Sequence, residues 1–124
     1  TYERVRAQLQ ATDAVLIVSP EHNRSMPAAV KNLLDIASRP AGKSLWGGKK
    51  TAVITASPGS YGGINSGLHI RQSLQAMSAD VMIAPEVFLS RAHTALADGQ
   101  VSDARTAAFL NKFAAAFYAW AQAE

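Results

Sequence analysis

Three short, nearly continuous apolar runs, separated by segments of helical period, restrict this chain more than any other feature. They are Ala14-Val15-Leu16-Ile17-Val18, Thr51-Ala52-Val53-Ile54-Thr55, and Val81-Met82-Ile83-Ala84 leading through Pro85-Glu86 into Val87-Phe88-Leu89. Runs that do not alternate with polar residues indicate strands buried on both faces, as in a parallel sheet covered by helices. Pro85 has no amide hydrogen for a ladder, so the third strand is expected at an edge or broken there.

Between the runs the period becomes helical. Val30, Leu33, Leu34 and Ala37 recur at i, i+3, i+4 and i+7 and predict a helix from about Ser25, with Pro27 in its first turn. That helix should stop before Pro40, which disfavours helical backbone at Arg39. A second helix carries Ile70, Leu74 and Met77, and a third carries Phe109, Phe113, Ala116, Phe117 and Trp120 on one face, with Ser102 as its N-cap. Tyr2, Val5 and Leu9 mark a helix already running at the start of the chain. Residues 90–101, around Asp98-Gly99, read as an irregular surface excursion. The order α-β-α-β-α-β-α gives an α/β fold: a parallel sheet with right-handed crossovers and helices on both faces.

Composition narrows the function classes. A chain of 124 residues is one domain, and 48% apolar residues exclude intrinsic disorder. Charged residues, at 17%, fall below the usual quarter or so. Either another subunit covers part of the surface, or the twenty-four alanines simply displace charge. No apolar run reaches the ~18–20 residues that span a bilayer. The polar start Thr1-Tyr2-Glu3-Arg4 has no apolar signal core, so a cytoplasmic location is expected. The absence of cysteine excludes disulfides, thiolate metal sites and a Cys nucleophile. His22, His69 and His93 show no metal-ligand spacing with acidic residues. A net charge of +3 with only Lys43, Lys49 and Lys50 clustered, and no aromatic residues between them, argues against nucleic-acid binding. No G-x-S-x-G elbow supports a serine hydrolase.

Ligands of open α/β sheets sit outside the carboxyl ends of the strands. Two loops qualify, Ser19-Pro20-Glu21-His22-Asn23-Arg24-Ser25-Met26-Pro27 and Ser57-Pro58-Gly59-Ser60-Tyr61-Gly62-Gly63, and both run into helix N-termini that favour anionic or electron-rich edges. The second is G-x-x-G-G, neither a dinucleotide nor a P-loop signature. Its glycines either let backbone approach a flat ligand or make an ordinary tight turn. Asn23 offers a donor and an acceptor on one amide, for a ligand edge or for an Asx turn or helix cap.

The first loop, followed by Leu33-Leu34-Asp35-Ile36-Ala37-Ser38-Arg39-Pro40, resembles the P-E-Y-N-x-S-x-P-G-x-L-K-N-A-I-D-W-x-S-R-P signature of the NADPH-dependent FMN reductase family, which includes quinone, azo and chromate reductases. The stretch Ala56-Ser57-Pro58-Gly59 to Gly62-Gly63, then His69-Ile70-Arg71-Gln72-Ser73-Leu74, is similar to the family's second flavin loop and its L-R-Q-x-L helix, and Pro85-Glu86-Val87 to its last strand. The resemblance implies a flavodoxin-like three-layer α/β/α fold with strand order 2-1-3-4-5, of which this chain shows strands 3, 4 and 5. It further implies noncovalent FMN, NAD(P)H as co-substrate, and acceptors of the quinone, azo or chromate kind. Pro20, Glu21, His22, Asn23 and Ser25 would line the isoalloxazine, with Asn23 at its pyrimidine edge; Glu21 is read on the same resemblance as a structural or subunit contact rather than a general acid or base, because the flavin carries the chemistry. Ser57, Gly59, Tyr61, Gly62 and Gly63 would hold its other side. Arg71 and Glu86 would sit near subunit contacts of a homodimer or tetramer, with two solvated charges as the alternative.

Two departures stand out. The family's tyrosine is His22 here, which packs on the ring or on a partner, or faces solvent. The family's first strand, its G-S-x-R-x-x-S-x-N phosphate loop, first helix and second strand have no counterpart. Residues 1–124 are therefore expected to be the carboxyl portion of one flavodoxin-like domain. The alternative function is a noncatalytic flavodoxin-like module that binds a partner subunit or, weakly, a nucleotide.

Overall fold

The structure is a computed structural model and describes residues 1–123. β1 (Ala14–Ser19) runs parallel to β2 (Lys50–Ala56), in register from Ala14↔Lys50 to Ser19↔Thr55. The opposite edge of β2 is shared by β3 (Asp80–Val81) and β4 (Val87–Leu89), both parallel to it. The expected third strand is thus two pieces. The Met82 amide still donates to Thr51 at 2.9 Å, after which the chain leaves the ladder and rejoins it beyond the cis Ala84–Pro85 bond. The missing amide hydrogen of Pro85 accounts for the gap. The order β1-β2-β3/β4 is the 3-4-5 end of a flavodoxin-like sheet.

Helices lie on both faces. α1 (Tyr2–Gln10), α2 (Ala28–Ser38) and α3 (Ile64–Ala76) cover one. There Leu9, Leu34, Ala37, Ile70, Leu74 and the fully buried Trp46 pack on Ile17 and Val53. The Trp46 indole donates to the Leu34 carbonyl at 2.9 Å, so this buried ring carries no unpaired N–H. The Arg6 guanidinium donates to the carbonyls of Ile36, Ala37, Arg39 and Lys43, tying α1 to the end of α2. The other face carries a single long helix, α5 (Ala104–Gln122), which packs on Ala52, Met82 and Val87.

Two helix starts and the facing of one aromatic residue differ from expectation. α2 begins at Ala28, because Ser25 is held in a tight hairpin with His22 by two backbone hydrogen bonds of 2.9 and 3.0 Å. Pro27 is the extended N-cap rather than a first-turn residue. α5 is capped by Asp103, whose carboxylate accepts from the Thr106 amide at 3.1 Å, while Ser102 turns its hydroxyl back to the Ala95 carbonyl. Phe109 points off the buried stripe, and Leu110 takes its place beside Phe113, Phe117 and Trp120.

Residues 90–101 are ordered rather than irregular. α4 (Ala92–Ala95) leads into the antiparallel pair β5 (Leu96–Ala97) and β6 (Gln100–Val101). Asp98 and Gly99 both have positive φ, as a two-residue type I′ hairpin turn requires.

β1 has no strand on its outer edge among the described residues. On the α5 side its Leu16 and Val18 remain 40% and 64% exposed, because the single helix of that layer sits over β2 and β4. Among the described residues no helix is long and apolar enough to cross a membrane, and no cluster of three metal-ligating side chains occurs.

Candidate functional site

The two loops singled out by sequence leave the carboxyl ends of adjacent parallel strands β1 and β2, so the parallel register itself brings them side by side. In the first, Ser19 is buried and donates to the Pro20 carbonyl at 2.8 Å. The chain then folds into the His22–Ser25 hairpin, with Asn23 and Arg24 at its tip in left-handed backbone (φ 53 and 67). Such backbone is ordinary for asparagine and uncommon for arginine. Pro20, His22 and Asn23 are exposed, Ser25 partly so. Among the described residues the Asn23 carboxamide has no protein partner, which removes the Asx-turn and helix-cap readings and leaves its donor and acceptor available to a ligand edge.

The second loop is built inward from its glycines. Gly62 and Gly63 are buried with φ of 62 and 78, and Thr55 donates from its hydroxyl to the Gly62 carbonyl at 2.8 Å. A Cβ on Gly62 would stand 2.5 Å from the Phe88 carbonyl oxygen, and one on Gly63 2.8 Å from the Thr55 Cβ. These two glycines therefore serve close packing onto β2 and β4. The outward part of the loop is Ser57, Gly59 and Tyr61, with Tyr61 59% exposed. The loop is fastened from behind: the Ser57 amide donates to Leu89, the Arg91 amide to Gly59 and the Ala92 amide to Ser57, at 2.9–3.0 Å.

Three contacts brace the first loop, two against α3 and one against the second loop. Glu21 Oε1 accepts from the Ser66 amide at 3.0 Å, in the first turn of α3. Ser25 Oγ and His69 Nδ1 are 2.8 Å apart. The Arg24 guanidinium lies over the Tyr61 ring, 5.3 Å from its centroid. Arg24, Ser66 and His69 were not singled out by sequence. His69 lies inside the matched helix stretch, but nothing in the spacing marks Ser66 or the Arg24–Tyr61 pairing.

One Glu21 carboxylate oxygen is committed to α3, and the N-terminus of α3 is correspondingly less open to an outside anion. Of the ten residues expected at the site, Pro20, His22, Asn23, Ser25, Ser57, Gly59 and Tyr61 present surface along the paired loops, whereas Gly62 and Gly63 are interior. Arg71 and Glu86 lie away from the loops. Arg71 is half-buried, its guanidinium 3.4 Å from the Met82 carbonyl and its Nε without a partner; Glu86 is exposed, and among the described residues neither forms an ion pair. A cleft of about 450 Å³ bounded by Ser90, Arg91, Thr94, Asp103 and Phe109 lies behind the second loop, not between the two.

The family model for NADPH-dependent FMN reductase matches residues 1–94. A quinone reductase of Pseudomonas putida is 41% identical over 120 residues, which cover 97% of this chain and 64% of the relative. A 2-hydroxy-1,4-benzoquinone reductase of a Burkholderia species is 37% identical, covering 93% of this chain and 63% of the relative. Among solved structures, the flavoenzyme NAD(P)H:(acceptor) oxidoreductase FerB from Paracoccus denitrificans superposes with a TM-score of 0.89 at 37% identity, covering 98% of this chain and 67% of that one. The chain thus spans a little under two thirds of the length of the curated relatives it matches. The paired loops, the parallel sheet and these matches together place the chain in the NADPH-dependent FMN reductase family.

Proposed function

We propose that this chain carries the flavin-ring site of an FMN-dependent NAD(P)H oxidoreductase whose acceptors are quinones. The observation that carries the reading is the pair of braced loops at the ends of β1 and β2, exposing Pro20, His22, Asn23, Ser57, Gly59 and Tyr61 along one side. These residues suit a flat, heteroatom-edged ring. Asn23 brings a free amide for an edge with both a donor and an acceptor, and Tyr61 brings an aromatic surface. They suit a phosphate less: the Ser66 amide at the α3 terminus is already engaged by Glu21, leaving the short Ser57-Pro58-Gly59-Ser60 stretch as the exposed serine- and glycine-rich segment of the two loops.

When bound, FMN supplies the hydride acceptance and electron delivery that no protein side chain can. The protein's part is to position the ring, and the open side of the loops leaves room for nicotinamide and acceptor to use one surface in turn. Azo compounds and chromate are further acceptors on the same reading, since the acceptor meets an open surface rather than a shaped pocket. Arg71 and Glu86, which form no ion pair among the described residues, are proposed as contacts of a homodimer or tetramer in the cytoplasm, Arg71 lying beside the exposed Ile83; light scattering of wild type against Arg71→Ala tests the assembly.

The single-domain reading rests on the same footing. Residues 1–124 are proposed as the carboxyl portion of one flavodoxin-like domain, supported by the unpaired β1 edge and the longer relatives. The deciding experiment is a flavin titration. Quenching of FMN fluorescence with quinone-dependent NADPH oxidation is the expected result. A chain that neither binds FMN nor oxidises NADPH refutes catalysis by these residues and favours the noncatalytic module.

A further inference from the structure

We propose that Glu21 is a positioning residue, which sets the spacing between the two loops by clamping α3 rather than by touching the flavin; the inference rests on the flavin-site reading above. α3 begins directly after the second loop, and its N-cap, Gly63, has no side chain to satisfy the first-turn amides. The carboxylate of Glu21 performs that task from 45 positions away in sequence, accepting from Ser66 N–H at 3.0 Å. One turn further along α3, His69 holds Ser25 at 2.8 Å. Residues 66 and 69 share a helix face, so loop one is docked on α3 at two successive points. Because the Gly62-Gly63 segment is locked onto β2 and β4, α3 cannot move without the second loop. A change at Glu21 therefore alters how the two loops sit relative to each other, along the surface where the ring would lie.

The carboxylate is also a charge beside the site, and reach can be separated from charge. Glu21→Gln keeps the length and an acceptor oxygen while removing the charge. Glu21→Asp keeps the charge and withdraws the oxygen by one methylene. Three quantities are measured for each: FMN and riboflavin dissociation constants, amide hydrogen exchange at Ser66, and exchange at the hairpin amides of His22 and Ser25.

Glu21→Gln should retain amide protection and bind both flavins within about threefold of wild type. Glu21→Asp should lose protection at Ser66 and in the hairpin and bind both about tenfold more weakly, the loss of one charge-assisted hydrogen bond. The reverse order, with Gln weak and Asp normal, assigns Glu21 an electrostatic contact with the flavin and overturns the proposal. So does loss of Ser66 protection in Glu21→Asp with unchanged flavin affinity, which makes the clamp merely structural.

If wild type binds no flavin, the functional reading fails by itself. The clamp is then judged by exchange alone: it stands if Glu21→Asp deprotects Ser66 and the hairpin together, and falls if either keeps its protection.

Discussion

At the residue scale, the glycines of the second loop separate two roles that composition cannot tell apart. Gly62 has positive φ, and its missing Cβ is replaced by the Phe88 carbonyl oxygen and the Ser90 amide, neither of which can withdraw. Gly62→Ala should therefore cost about 2–4 kcal/mol, from the left-handed backbone and the collision together, read as a lowered denaturation midpoint. Gly59 has no positive φ, and its nearest neighbour is Ser57 Oγ at 3.8 Å. Gly59→Ala should leave stability within about 0.5 kcal/mol, so any loss of flavin affinity there reports crowding of the ligand rather than of the fold. Sequence placed both glycines in one ligand loop because G-x-x-G-G carries no record of which Cα faces β4.

At the element scale, α5 holds its layer alone, and its start depends on one exposed cap. Hydrogen bonds from the Thr106 hydroxyl and amide, with a smaller contribution from the Arg105 amide and charge, hold the Asp103 carboxyl below its ordinary value. A carboxyl whose pKa is lower in the folded state stabilises above its unfolded pKa, and that contribution disappears as pH falls through the folded value. Helix content from circular dichroism should therefore decline in the wild type as pH drops below about 4. Asp103→Asn, which still caps but cannot titrate, should flatten that dependence, and Asp103→Ala should fray α5 at all pH values. The sequence points to Ser102 as N-cap where the structure uses Asp103, for a local reason. Both residue types cap well, and the choice is made by the β5–β6 hairpin, which brings Ala95 within reach of the Ser102 hydroxyl.

At the scale of the whole molecule, the asymmetry of the layers governs behaviour. Among the described residues α1, α2 and α3 cover one face and α5 the other, so β1 presents an unpaired edge together with exposed Leu16 and Val18. An apolar edge of this kind templates pairing with other chains. The chain on its own should associate with rising concentration, and Val18→Lys should suppress this while leaving the thermal midpoint nearly unchanged, since Val18 is 64% exposed. Analytical ultracentrifugation of the two proteins decides it; equal association by both excludes this edge as the cause.

The alternation of helices and strands up to Leu89, the final helix, the parallel sheet, the break at Pro85 and the two candidate loops follow from the sequence alone, whereas α4 and the β5–β6 hairpin do not. Each depends on a local property: β-branched continuity, helical period, or a missing amide hydrogen. The family resemblance likewise lay in contiguous residues around Asn23 and Gly59. What the tertiary structure decided is how the loops are held. Glu21 meets Ser66, Ser25 meets His69, and Arg24 meets Tyr61 only because β1 and β2 run parallel and in register, which brings residues some 40 positions apart into contact. Hydrogen bonds between distant segments leave no periodicity in the chain, so the braces of the site became visible only once the sheet had set the loops side by side.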